Sequence, residues 1–297
     1  MLRRFGHNPL VRLLLLACAL FSILTTTAII ALLATESWAF FANERITPAG
    51  FLLGTEWNPL APTEPSFGVL PLVAGTLLVA GIAALVALPL GLLTAVYLSE
   101  YAPAALRAVL KPVLEVLAGI PTVVYGFFAV TVITPALTRL VPGIDAFNAL
   151  SAGIAVGIMC LPIVTSLSED ALRAVPRSLR EGGYAVGGTR FDVVAKVVVP
   201  AALSGIVAAF LLAIARAVGE TMIVALAAGA KPNLTIDPTQ SVQTMTAYIV
   251  STVKGETPYG SIQRQSIFAV GALLFLMTFA MTVVGNRVLA RFREVYE

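Results

Sequence analysis

Long apolar segments alternate with short polar stretches along the whole chain. Six of these segments have about the 20 mostly apolar residues that an α-helix needs to cross a bilayer. They are 11–34, 69–98, 113–137, 149–167, 201–228 and 266–286. The short alternating pattern of transmembrane β-strands is absent from the sequence. The pattern therefore predicts an all-α, polytopic membrane protein with six transmembrane helices.

The composition agrees with a protein whose main solvent is lipid. Hydrophobic residues make up 58% of the 297 residues and charged residues 12%, whereas soluble domains carry about 25% charged residues. This excludes a soluble enzyme, an ordinary nucleic-acid-binding protein and a disordered regulator. Cys18 and Cys160 lie in apolar segments, so we interpret them as small hydrophobic residues rather than metal ligands. The single histidine, His7, excludes histidine-based catalysis and most zinc chemistry.

The first apolar segment follows Arg3 and Arg4, as the core of a signal peptide would. Its apolar stretch of about 24 residues is longer than the roughly 7–15 of a cleaved signal, so we expect a retained signal anchor. Cytoplasmic loops carry an excess of Lys and Arg. With the N-terminus inside, 13 basic residues fall in cytoplasmic parts and 5 in external loops. The distribution predicts that both termini are cytoplasmic.

Two long external loops, 35–68 and 229–265, are rich in Pro, Thr and Asn. Their aromatic residues include Phe51, Trp57, Tyr248 and Tyr259. Simple connections between helices do not need aromatic side chains, and loops often carry function. We therefore expect these loops to offer a docking face to an external partner. The alternative is that they only connect helices.

The longest cytoplasmic loop, 168–200, has the pattern of two short helices with a break between them. The first helix would run from about 176 to 186 and end at Gly187-Gly188. Thr189 and Asp192 then have the spacing of a capping box that starts a second helix. Such a loop suits insertion into a groove on another protein, and it equally suits a solvated loop with interfacial helices.

The same loop resembles the EAA loop of ABC importer permeases. Glu181-Gly182-Gly183, Gly187 and Val197-x-Val199-Pro200 stand at the spacings of that motif, with two glycines replacing the usual alanines. In the family, the loop docks into a cleft on the ATP-binding subunit and passes its movement to the membrane helices. The resemblance implies a set of ATPase-coupling residues: Glu181, Gly182, Gly183, Tyr184, Gly187, Arg190 and Pro200.

Segment 201–228 carries one pair of charged residues, Arg216 and Glu220. Each ionised residue at mid-membrane costs about 2.5–3.5 kcal/mol on insertion scales, and the i, i+4 spacing places the two on one helix face. The pair is either a structural clamp between helices or part of a hydrophilic path. We favour the path, because the planar guanidinium group suits oxyanions. Glu220 would then keep Arg216 from holding the anion too tightly.

The stretch 216–221 resembles the R-A-x-G-E-T signature of phosphate-specific ABC permeases, and it adds Thr221 to the substrate path. Other stretches resemble the C-type permeases of that family, the PstC permeases. These are 67–71, 75–76, 89–91, 97–101, 115–126, 168–172 and 175–176. Thr122 replaces a serine that is common in the family. The resemblance extends over about 67–285.

The resemblance implies a type I ABC importer permease fold, with an N-terminal transmembrane helix and external loop in 1–66. The permease domain would span 67–297 and include the coupling loop 168–200. The chain lacks a G-x-x-x-x-G-K-[ST] phosphate-binding loop. We therefore expect no enzyme activity and no cofactor bound by this chain, with ATP-Mg held by a partner ATPase.

The function implied by the resemblance is the permease of an ATP-driven inorganic phosphate importer in the bacterial plasma (inner) membrane. Its expected partners are an A-type phosphate permease, two ATP-binding subunits and an extracytoplasmic phosphate-binding protein. One alternative is a permease for another oxyanion, such as sulfate, molybdate or phosphonate. A secondary transporter or channel that needs no ATPase is a second alternative, and a membrane sensor that transports nothing is a third.

Overall fold

The computed structural model describes residues 9–61, 65–255, 257–258 and 260–292, and these are mainly helical. The helices of the N-terminal half are α1 (Pro9–Phe41), α2 (Pro48–Leu53), α3 (Leu70–Val96), α4 (Ala104–Gly119), α5 (Thr122–Phe128), α6 (Thr134–Leu140) and α7 (Ala149–Ala174). Those of the C-terminal half are α8 (Arg177–Ala185), α9 (Arg190–Val193), α10 (Val199–Ala201), α11 (Leu203–Val218), α12 (Met222–Ala227), α13 (Met245–Lys254) and α14 (Ile262–Phe292). Single π-helical turns lie at Tyr97–Tyr101, Ala129–Ile133 and Val194–Val198. Strands β1 (Trp57–Asn58) and β2 (Ser66–Phe67) form a small antiparallel pair.

Five helical stretches in the described part of the chain are long and apolar enough to cross a membrane. They are Leu10–Phe41, Leu70–Tyr101, Thr122–Leu140, Ala149–Ala174 and Ile262–Arg287. A sixth candidate is the pair Arg190–Ala201 and Leu203–Val218, which is bent by 68°. Counting this bent pair as one span gives six, the number that the hydrophobic pattern predicts. Its second helix lies in the predicted fifth span, whereas residues 190–200 belong to the predicted coupling loop.

The predicted third span, 113–137, begins too early. Residues 113–119 belong to α4, and the chain turns at Ile120 before α5 begins at Thr122. Pro121 causes the turn, because a proline disfavours helical geometry in the residue before it; Ile120 has φ −66° and ψ 129°. The third span is therefore Thr122–Leu140, and α4 is a separate helix with no buried residue.

The predicted fifth span, 201–228, is not one continuous helix. It consists of α11 and α12, and residues 219–221 between them leave the helix. Both charged residues of the segment lie at this break, with Arg216 in the last turn of α11.

Three of the four aromatic residues singled out in the loops 35–68 and 229–265 are buried rather than displayed. Phe51, Trp57 and Tyr248 are each 3% exposed, and the Trp57 and Tyr248 rings meet edge to face with centroids 4.8 Å apart. They form one hydrophobic core together with Phe40 and Phe67. The expectation that these three residues offer a docking face was wrong, since aromatic side chains pack into this core. Tyr259 lies outside the described residues.

Helices α3 and α7 form the central pair of the bundle, and small residues bring them together. A Cβ atom at Gly153 would come within 2.6 Å of the Ile82 Cβ, and one at Gly157 within 2.8 Å of the Val86 Cβ. Close approach through small residues is how membrane helices pack, because lipid supplies little hydrophobic drive between them. The pair therefore forms a tightly packed centre against which α11 also packs.

Substituting Gly153 by alanine tests this packing. The added methyl group must displace Ile82 or separate the helices, at a cost of about 1–3 kcal/mol. We expect the Gly153→Ala variant to unfold at a lower temperature than wild type in detergent. Gly81→Ala is the matched control on α3, because a Cβ there meets nothing within 4 Å. Equal melting temperatures for the two variants would contradict the close packing of α3 and α7.

Candidate functional site

The break in the fifth span begins at Gly219. The N–H of Gly219 still donates to the carbonyls of Ala215 and Ala217, so α11 ends in a tightened turn. Glycine lowers helix stability by about 1 kcal/mol relative to alanine, and a glycine at this point favours an end to the helix. The next helix, α12, begins at Met222.

Glu220 is buried at the break, where it begins the next helix. Its side chain is 2% exposed, and Oε1 accepts hydrogen bonds from the N–H groups of Met222 (3.1 Å) and Ile223 (3.3 Å). Its own carbonyl accepts a 2.6 Å hydrogen bond from the Thr246 hydroxyl on α13. The carboxylate therefore supplies acceptors for N–H groups that a helix start leaves without partners.

Arg216 lies on the opposite side of this carboxylate. Its Nη1 is 2.9 Å from Glu220 Oε2, and its side chain is 41% exposed. The predicted i, i+4 ion pair is confirmed, although Glu220 sits in the break rather than on a continuous helix. The two partners differ in burial, since Glu220 is enclosed whereas the Arg216 side chain is exposed. A guanidinium group has five N–H donors, so the ion pair leaves capacity for an anion.

Thr221 completes the predicted path residues at the break. It is partly buried, and its hydroxyl donates to the Gly219 carbonyl at 3.3 Å. The three predicted residues therefore lie together, and Arg216 is the most exposed of them. Thr246 was missed by the sequence analysis, since its contact with the break joins residues 26 positions apart.

The coupling loop has the local structure that its sequence predicts. Asp192 N–H donates to Thr189 Oγ1 at 3.2 Å, and Thr189 N–H donates to an Asp192 carboxylate oxygen at 3.3 Å, which confirms the capping box. Gly187 has φ +84°, in the left-handed region that favours glycine. The first helix is α8, Arg177–Ala185, one residue shorter at each end than predicted, with Pro176 immediately before it.

Hydrogen bonds also fix the charge of the capping carboxylate. The Lys196 ammonium and the Thr189 hydroxyl and N–H lower the pKa of Asp192 to about 2. Asp192 is therefore ionised throughout the neutral range, and a carboxylate at a helix N-terminus favours the helix.

The tip of the loop presents apolar side chains to solvent. Tyr184 is 47% exposed, Phe191 70% and Val186 87%, while Glu181 and Gly182 are exposed on α8. Gly183 is less exposed because Val193 packs against it. A Cβ atom at this position would lie 3.0 Å from a Val193 methyl group. Exposed apolar groups among polar ones are typical of protein interaction sites. Pro200 lies in α10, just before the bend into α11.

Comparison with known proteins identifies the family. Residues 87–294 match the family model described as "Binding-protein-dependent transport system inner membrane component". The chain belongs to this family. It is a membrane-embedded permease subunit of an ABC importer and not itself an enzyme, and such permeases work with an ATPase and a substrate-binding protein.

Two curated relatives resemble this permease over most of its length. One is the probable ABC transporter permease protein YqgH of Bacillus subtilis, 37% identical over 268 residues that cover 90% of this chain and 86% of the relative. The other is the phosphate transport system permease protein PstC of Mesorhizobium japonicum, 32% identical over 314 residues that cover 97% of this chain and 94% of the relative.

Solved structures confirm the type I ABC importer permease fold. A chain of a bacterial alginate ABC importer superposes with a TM-score of 0.67 at 13% identity, covering 98% of this chain and 100% of its own. A chain of the inward-facing MetNI methionine transporter has a TM-score of 0.56 at 19% identity, covering 76% of this chain and 94% of its own. At these identities the similarity establishes the fold alone.

The guanidinium group of Arg190 contacts the end of the second span, although Arg190 itself is exposed. Its guanidinium donates to the Glu100 carbonyl and lies 4.8 Å from the centre of the Tyr101 ring. The structure therefore places this predicted coupling residue between α9 and the end of the second span.

Glu169 is a buried charge of the permease. It lies in the stretch 168–172, which resembles the family, but the sequence alone assigned it no role. It is 1% exposed, and three basic groups surround it: Arg173 at 3.6 Å, and Arg107 and Lys111 at 3.8 Å each. Arg107 and Lys111 come from α4, so the carboxylate ties α4 to α7. The i, i+4 spacing to Arg173 was visible in the sequence, whereas the contact with α4 depends on tertiary structure.

The double role of Glu220 predicts a graded response to substitution. Glu220→Gln keeps an oxygen that accepts from the N–H groups of Met222 and Ile223. Glu220→Ala leaves the partly buried Met222 N–H and the buried Ile223 N–H without this acceptor. An unsatisfied buried group costs about 1–3 kcal/mol. We therefore expect Glu220→Ala to have a clearly lower melting temperature than Glu220→Gln in the purified permease complex. Equal melting temperatures would show that the carboxylate does not cap α12.

Proposed function

We propose that this permease imports inorganic phosphate. The observation that carries the proposal is the half-exposed guanidinium group of Arg216, held at a break in a membrane span by a buried carboxylate. A planar guanidinium group binds oxyanions through paired N–H donors. The similarity to PstC of Mesorhizobium japonicum, a phosphate transport permease, supports phosphate as the oxyanion.

Arg216 would provide a modest and reversible phosphate site. A site in a transport path must bind strongly enough to admit the ion and weakly enough to release it. Glu220 provides the weakening, because its carboxylate already occupies one side of the guanidinium group. Thr221 lies beside the site and would border the path. Most of the substrate selectivity would reside in the extracytoplasmic binding protein.

The transport cycle would be alternating access driven by ATP. ATP-Mg bound to two copies of a partner ATPase would close that dimer and move the coupling loop, whose proposed docking residues are Glu181, Gly182, Gly183, Tyr184, Gly187, Arg190 and Pro200. The loop leads directly into α11, so its movement would reach Arg216 through one helix. The path would open outward, receive phosphate from the binding protein and reset on hydrolysis.

The complete importer would contain an A-type phosphate permease beside this chain, which forms the other half of the path. Because Arg216 is 41% exposed on this chain alone, a second permease is a natural complement to its open side. We place the chain in the bacterial plasma (inner) membrane with both termini in the cytoplasm, in accord with the excess of basic residues in its predicted cytoplasmic parts.

Two alternative functions can each be separated from a phosphate importer by experiment. A permease for sulfate, molybdate or phosphonate would have the same fold, and competition by these anions for phosphate uptake separates it from the proposal. A secondary transporter would carry phosphate in vesicles that lack an ATPase subunit. The match to a binding-protein-dependent family disfavours the secondary transporter.

Replacing Arg216 by glutamine tests the role of the charge. We expect phosphate uptake by the reconstituted importer to fall at least about tenfold, since hydrogen bonds to charged groups contribute about 1.5–3 kcal/mol, while the ATPase still co-purifies. Arg139→Gln is the matched control, because Arg139 is exposed at the end of α6 and far along the chain from the break. Wild-type uptake by Arg216→Gln would remove Arg216 from the path.

A further inference from the structure

Three arginines converge on the π-helical turn Tyr97–Tyr101, which ends the second span. Arg107 of α4 donates to the carbonyl groups of Leu98 (2.9 Å) and Ser99 (3.2 Å). Arg180 of α8 donates to Glu100 Oε1 at 3.0 Å. Arg190 of α9 donates to the Glu100 carbonyl and covers the Tyr101 ring.

The chemistry of a helix end explains this convergence. The last carbonyl groups of a helix have no partner within it, and guanidinium groups are forked donors that suit them. The Ser99 hydroxyl also donates to Glu100 Oε1, at 2.8 Å, and so helps to hold the carboxylate toward Arg180. Single π-helical turns are rare and often lie at functional sites. We call Tyr97–Tyr101 the hub turn.

Arg180 makes one further contact that distinguishes it from the other two. The same Nη2 that meets Glu100 also donates to the Leu172 carbonyl of α7 at 2.7 Å. One guanidinium group on the coupling loop therefore touches the cytoplasmic ends of both the second and the fourth span. These are the spans formed by α3 and α7, the tightly packed central pair.

The Arg180–Glu100 ion pair is also more buried than an ordinary surface ion pair. The side chains of Arg180 and Glu100 are 22% and 11% exposed, whereas those of Lys196 and Asp192 on the same loop are 74% and 37% exposed. Exposed i, i+4 pairs such as Asp192–Lys196 contribute little. The Arg180–Glu100 pair links residues 80 positions apart and is better shielded from solvent.

We propose that Arg180 is a positioning residue that transmits movement of the coupling loop to the second and fourth spans, through Glu100 and the Leu172 carbonyl. The proposal rests on the proposed docking of this loop to an ATPase. Displacement of α8 must either carry the hub turn with it or break the Arg180–Glu100 pair. Coupling between distant sites is carried by such contacts between rigid elements, and the tight packing of α3 on α7 makes the receiving element rigid.

The test is a double-mutant cycle in the complete importer, reconstituted with its ATPase, second permease and binding protein. The variants are Arg180→Gln, Glu100→Gln and the combination of both. The quantity measured is phosphate imported per ATP hydrolysed, together with the amount of ATPase that co-purifies. Lys196→Gln is the matched control, since it breaks an ion pair confined to the loop itself. Arg180→Lys is the conservative variant, because an ammonium group still donates to both acceptors.

We expect each single glutamine variant to lower the ratio of phosphate to ATP about tenfold, a typical size for coupling between sites, with normal co-purification of the ATPase. The double variant should be no worse than the worse single variant, because both remove one interaction. Arg180→Lys should recover much of the ratio, and Lys196→Gln should leave it unchanged.

Three results would overturn the proposal. These are a wild-type ratio in both single variants, effects that simply multiply in the double variant, or loss of the ATPase from Arg180→Gln, which would place Arg180 in the docking contact. Failure of the wild-type importer to take up phosphate would instead contradict the proposed function. The two failures are therefore distinguishable within the same experiment.

Discussion

The carboxylate of Glu220 is the constraint around which the proposed substrate path is arranged. A charge enclosed among apolar helices is costly unless other groups compensate it. Two backbone N–H groups and Arg216 provide that compensation. The N–H groups become available only because the fifth span breaks at 219–221, and the ion pair holds Arg216 beside the break. The Glu220 carboxylate thus accounts for both the interruption of the helix and the position of the exposed guanidinium group.

The rest of the structure connects this break to the coupling loop. Helix α11 has 16 residues, about 24 Å at 1.5 Å per residue, and it runs without interruption from the bend after α10 to Arg216. The coupling loop and the proposed path therefore lie at opposite ends of one helix. Small residues pack α3 tightly on α7 beside it. The partly buried Glu100 and the buried Glu169 fasten the ends of these two helices nearest the coupling loop.

Features that depend on neighbouring residues were predictable from the sequence. The apolar spans, the Thr189–Asp192 capping box and the Arg216–Glu220 pair all follow from spacings within one helix turn or one apolar segment. The predicted bounds of the third span, 113–137, were wrong, although Pro121 indicated a turn in the chain at that point. The apolar run continues across that proline, so hydropathy alone did not reveal the turn.

Features that join distant parts of the chain were not predictable in this way. The burial of Trp57 against Tyr248 depends on packing between the segments 35–68 and 229–265. The contacts of Glu169 and Glu100 depend on helices that meet near the coupling loop. A single sequence shows which residues are charged or aromatic, but it does not show which of them meet. The break at Glu220 was partly predictable. Gly219 is visible in the sequence, whereas the hydrogen bonds by which the carboxylate caps α12 are visible only in the structure.

In the proposed mechanism, Arg216 faces an aqueous path through the membrane. The most direct measurement is the modification of an Arg216→Cys variant, with Cys18 replaced by serine, by a membrane-impermeant anionic thiol reagent in the assembled importer. Leu85→Cys is the control, since Leu85 is 78% exposed on the apolar surface of α3. We predict rapid modification of Arg216→Cys and little of Leu85→Cys. Protection of Arg216→Cys to the level of Leu85→Cys would contradict an aqueous path at Arg216.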